Sequence, residues 1–154
     1  MARAAYVNRM MPSLLSRLFA PTPERLPVPD ARLALAALLV RVARADGQYD
    51  QAEIDRIDRV LAGRHGLTPF AAAALRTEAE ALEAEAPDTV RFTRSLKAAT
   101  DLEDRAALVQ ALWSVALADG GRDAGEDRLI RMVADLLGLR DVESALARQR
   151  AERE

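Results

Sequence analysis

The chain of 154 residues contains no cysteine, a single histidine (His65), a single tryptophan (Trp113) and only 4% aromatic residues. Without cysteine there are no disulfides, thiolate metal sites, iron–sulfur clusters or cysteine nucleophiles. One histidine leaves little for a catalytic zinc site or a Ser-His-Asp triad. Thr93, Ser95 and Ser144 have no base near them in sequence, so nucleophilic catalysis is not expected. Basic charge is not in excess: the formal net charge is -2, which argues against a nucleic-acid partner. The longest apolar run, LALAALLV from Leu33 to Val40, is far shorter than the ~20 residues that cross a bilayer. LLSRLFA at 14–20 is broken by Arg17 and is not followed by an export cleavage pattern, so a cytoplasmic location is expected.

What the chain does hold is alanine, leucine and charge. Half of its residues are apolar and 30% are charged, while the β-branched and aromatic enrichment of strands is missing. An all-α fold of about seven helices follows. Residues 1–29 read as an arm with Met11 as a second candidate start, ending in the tether APTPERLPVPD, whose four prolines no helix interior accepts. Residues 30–154 read as the folded domain. Asp30, Asp50, Thr68 (with Pro69 behind it), Asp88 or Thr89, Asp101, Asp123 and Asp141 mark helix starts. Gly47, Gly66, Gly120 and Gly138 mark the ends of four of them.

The first and fifth of these helices lead into near copies of one loop, ADGQYDQAE at 45–53 and ADGGRDAGE at 118–126. A shift of 73 residues lays Leu39 on Leu112, Val42 on Val115, Asp46 on Asp119, Asp50 on Asp123, Glu53 on Glu126 and Ile57 on Ile130. The unit of helix, acidic loop, helix and Gly-Leu stop is therefore used twice, with two helices inserted between the copies.

These residues, ADGQYDQAEIDRIDRVL and ADGGRDAGEDRLIRMVADLLGL with the helix before each, resemble the tellurite-resistance TerB family over roughly residues 30–140. The resemblance implies a compact bundle of about seven helices without a known enzymatic activity, connected with tellurite resistance and related stress systems and suspected of binding metal through acidic residues. A similar domain occurs in membrane-attached DnaJ-type co-chaperones, but this chain lacks their HPD motif.

Two readings of the doubled loop stand side by side. In D-x-x-E the Asp accepts the amide three residues on and the Glu reaches back, an aspartate form of the capping box. That accounts for Asp50, Glu53, Asp123 and Glu126 without a ligand. Asp46 and Asp119 are not so explained, because a carboxylate at a helix C-terminus opposes the dipole. Alternatively, Asp46, Asp50, Glu53, Asp119, Asp123 and Glu126 form a metal site. They offer only hard oxygen donors, suited to calcium, magnesium or manganese. Each loop is shorter than the ~12 residues of an EF-hand, so tight binding requires the two to converge.

Elsewhere, His65 is expected to be a helix-end residue whose positive form suits the dipole, and Trp113 to be core. The Glu-rich stretch Glu78, Glu80, Glu83 and Glu85 is expected to be a solvated face, with added metal ligands or docking of a basic partner as the alternatives. The arm carries Arg3, Arg9, Arg17 and Arg25 against Glu24, with Leu14, Leu15, Leu18 and Phe19 at helical spacing. Such a segment suits peripheral membrane contact or a groove on a protein partner, and equally packing back on its own bundle or on a second copy of the chain.

Overall fold

The computed structural model describes residues 30–86, 88–120 and 123–154; the arm and tether of 1–29 lie outside them. Among the described residues there are seven helices and no strand: α1 Ala31–Arg44, α2 Gln51–His65, α3 Pro69–Glu85, α4 Val90–Ala99, α5 Leu102–Ala116, α6 Ala124–Leu136 and α7 Asp141–Glu152. None of the described helices is long and apolar enough to cross a membrane.

Local chemistry sets most boundaries. The side chains of Asp30, Asp50, Thr68, Asp101 and Asp123 accept backbone N–H bonds at the starts of α1, α2, α3, α5 and α6, satisfying amides that a first turn otherwise leaves without partners. At α4, Asp88 accepts the Arg91 N–H at 3.2 Å although Thr89 occupies the capping position. The repeat is visible in the backbone itself. α2 ends with Gly66 at φ 63°, and the Leu67 N–H reaches back to Ala62 O at 3.0 Å. α6 ends with Gly138 at φ 84°, and the Leu139 N–H reaches Ala134 O at 2.9 Å. Both are six-to-one closures, and both need the left-handed residue that glycine supplies without penalty.

Sequence periodicity suggests one apolar face for α1. Instead, every residue from Ala34 to Val40 is buried, because α1 lies at the centre and packs against α2, α3, α4, α5 and α6. The short side chains of Ala34, Ala36 and Ala37 are compatible with neighbours on every side. α7 closes the outside by packing on α5 and α6. Phe92, Leu35, Leu38, Leu39, Ile57, Leu61, Leu108, Leu112 and Ile130 fill the core.

His65 closes α2 at its C-terminal end as expected, but its positive form is not favoured there: burial first, then Arg32 and Arg64, lower its pKa, and its Nε2 is buried without a partner among the described residues. Nor is the Glu-rich end of α3 simply solvated. Glu78 and Glu85 are exposed, but Glu83 pairs with Arg41 at 3.2 Å and with Arg44 at 2.7 Å. Glu80 pairs with Arg44 at 3.6 Å and with Arg76 at 2.7 Å. Glu80 and Glu83 are therefore partners of arginines on α1 and α3.

Candidate metal centre

α1 ends at the Asp46 loop and α5 at the Asp119 loop, and the two close alike. Gly47 N–H bonds to Arg44 O at 3.0 Å and Gly120 N–H to Leu117 O at 3.1 Å, with φ of 81° and 75°. After Gly47, the Asp46 carboxylate accepts the Gln48 N–H at 2.8 Å, so one of its oxygens fixes the turn.

The capping box expected at α2 is present. Asp50 accepts the Glu53 N–H at 3.3 Å, and Glu53 Oε1 accepts the Asp50 N–H at 3.4 Å. At α6, Asp123 Oδ1 accepts from Gly125 at 2.7 Å and Glu126 at 3.1 Å. A Cβ added at Gly125 would lie 2.8 Å from that Asp123 oxygen and 3.5 Å from Ala45 O. The first turn of α6 thus lies in contact range of the end of α1, which is how the second loop meets the first.

Capping does not account for where the glutamates go. Glu53 is 0% exposed and Glu126 only 2%. Glu53 Oε2 and Glu126 Oε1 are buried without a hydrogen-bond partner among the described residues. Each heads a buried apolar stripe: Glu53, Ile57 and Leu61 on α2, and Glu126, Ile130, Val133 and Ala134 on α6. Ligand oxygens of Asp46, Glu53 and Asp119 all lie within 4.8 Å of one another. Of the six acids singled out by spacing, then, Asp46, Glu53 and Asp119 form one cluster and Glu126 lies in the same electrostatic field. Asp50 and Asp123 stand at its edge as helix caps.

The electrostatics express this crowding. Burial pushes the Glu53 carboxyl up to about 7; the backbone bond from Asp50 opposes the shift, while Asp50, Asp46 and Asp119 add to it. Glu126 rises to about 8, through burial first and then Asp46, Glu53, Asp119 and Asp123. A buried carboxylate surrounded by carboxylates is stabilised by a proton or by a cation.

Beside the first loop lies a support that sequence reasoning missed. The Arg44 guanidinium stacks 5.0 Å over the ring of Tyr49 while held by Glu80 and Glu83. Arg76 joins α3 to α2 through Asp58 and pairs within α3 with Glu80. Tyr49 is pushed up to about 12 by burial and then by Glu80. The signal in the sequence is faint: Arg41 and Arg44 interrupt the otherwise apolar second half of α1.

An all-oxygen donor set from two loops fits a hard divalent cation better than zinc or copper. Asp46, Glu53 and Asp119 could hold it, with Glu126 adjacent.

No curated protein and no solved structure matches the chain significantly. Residues 32–149 match the family described as Tellurite resistance protein TerB. That match spans both acidic loops and reaches from α1 into α7, so the chain belongs to the TerB family.

Proposed function

We propose that this TerB domain is a non-catalytic module that binds a divalent cation (calcium, magnesium or manganese) between its two acidic loops. One observation carries the reading: two buried glutamates, one from each copy of the repeat, each keep an unpartnered oxygen, Glu53 in a cluster with Asp46 and Asp119 and Glu126 within the field of the same acids. Helix capping needs a carboxylate at the helix start, but not one buried among other carboxylates. In this reading Asp46, Glu53, Asp119 and Glu126 are the ligands, while Asp50 and Asp123 orient the glutamates by fixing the first turns of α2 and α6. Family membership makes a tellurite-resistance-related stress response the natural setting, with a cytoplasmic domain acting through a protein partner.

The test is a thermal melt followed by Trp113 fluorescence, in chelator and then in millimolar calcium, magnesium or manganese. A ligand that binds only the folded state adds ~2.7 kcal/mol at ~100 times its dissociation constant, which is several degrees for a domain of this size. The expected result is a rise in the midpoint with one of the ions and none in the Asp46→Asn, Asp119→Asn protein. A second reading, a protein-interaction scaffold in which the loops only cap helices, is favoured by the cap bonds of Asp50 and Asp123. It predicts no response to any ion and unchanged or improved stability in the double variant.

A further inference from the structure

One side of α3 packs against α1 and α2. On its opposite side Phe70, Ala74, Thr77, Ala81 and Ala84 recur at helical spacing and all are exposed. Phe70, at 85%, is the most exposed large hydrophobic among the described residues. The Thr77 hydroxyl turns back to donate to Ala73 O at 2.9 Å, so the face is apolar along its middle. Glu78 and Glu85 edge it, both exposed and without an ion pair among the described residues. Glu80 and Glu83 turn the other way, to Arg41, Arg44 and Arg76. A segment that covers this face has to bring apolar side chains and positive charge together.

The chain carries such a segment itself. In the arm, Leu14, Leu15, Leu18 and Phe19 surround Arg17, and Arg3, Arg9, Arg17 and Arg25 against Glu24 give residues 1–29 a net charge of +3. A second copy docked by the same face would bring its own Glu78 and Glu85 against these acids, and an anionic lipid surface would meet the same repulsion. The attachment point is also on the right end. Arg41 and Arg44, late in α1, meet Glu83 and Glu80, late in α3, so the two helices run in the same direction and Asp30 lies at the Phe70 end. Asp30 acts on His65, four residues before Pro69, in keeping with that placement. From Asp30 the tether APTPERLPVPD, at ~3.1 Å per residue, spans ~34 Å, against ~25 Å for the whole of α3. We propose that Leu14, Leu15, Leu18 and Phe19 dock on the outer face of α3 over Phe70, Ala74 and Ala81, with Arg17 drawn to Glu78. The tether makes this cover intramolecular, at an effective concentration of roughly millimolar.

The chain has no cysteine, so Ala74→Cys places a single thiol on the face. Its alkylation by iodoacetamide, an uncharged probe, is followed by mass in the full chain and again with Leu15→Asp and Leu18→Asp added in the arm. Ala74 is exposed, so the variants are expected to fold, and unchanged thermal melts check it. The proposal expects the thiol to react roughly tenfold more slowly with the native arm than with the altered one, at a rate independent of protein concentration. Glu78→Gln with Glu85→Gln is expected to narrow that difference. Equal rates with the two arms would overturn the proposal. So would protection that grows with protein concentration, which marks a second copy, or protection that both charge variants leave untouched.

Discussion

Glu53 and Glu126 place the tension of this molecule on two carboxyl groups. Their folded pKa values, about 7 and about 8, lie above the ~4.3 of an unfolded glutamate. The neutral forms therefore favour the fold at low pH, and that contribution disappears as pH climbs through the folded values, where the native state must carry buried charge. The thermal midpoint of the cation-free protein is expected to fall between about pH 5 and about pH 9, and a saturating divalent cation to flatten that slope. Glu53→Gln keeps the shape and removes the charge. It should stabilise the cation-free protein above neutrality by roughly 1–2 kcal/mol, several degrees in a melt, while abolishing the response to the ion. A variant that lost stability at alkaline pH in the absence of metal would contradict this account of the site.

Between elements, a dense polar link joins α1 to α3. Arg41 lies over the Phe92 ring and bonds to Glu83, to the carbonyls of Glu83 and Ala86, and to Thr89. Arg44 shares Glu83 and leads straight into the acidic loop. Glu83→Ala would leave two half-buried guanidiniums short of a partner, and denaturant unfolding is expected to report a loss of about 2 kcal/mol. The elements themselves are legible in the sequence, because each start depends on a neighbour within three residues: Asp30 on Leu33, Thr68 on Ala71, Asp101 on Asp104. Burial and pairing are less so. The all-round burial of α1 and the inward turn of Glu80 and Glu83 depend on helices far along the chain. The site is readable to the same degree. The spacing of the doubled loop singles out its six acids, and Glu53 could have been suspected from its place four residues before Ile57 and eight before Leu61. Which carboxylates would meet depends on how α6 docks against α1, where Gly125 comes into van der Waals reach of Ala45.

At the scale of the molecule, one hairpin is used twice and the two copies are joined where their acids are densest. The first copy is braced by Arg44, Tyr49 and α3. Matching backbone bonds, from Ile54 N–H to Asp50 O and from Asp127 N–H to Asp123 O, both 3.1 Å, open α2 and α6 directly beneath the crowded carboxylates. Those two turns carry the electrostatic strain, so they are the places where the helices unwind first when nothing neutralises it. Amide hydrogen exchange should therefore slow at Ile54 and Asp127 on addition of the cation, while amides in the middle of α4 keep their rates. The two hairpins would then exchange as a single unit with the ion and as two without it, and a pair of backbone protons would register the concentration of a metal they never touch.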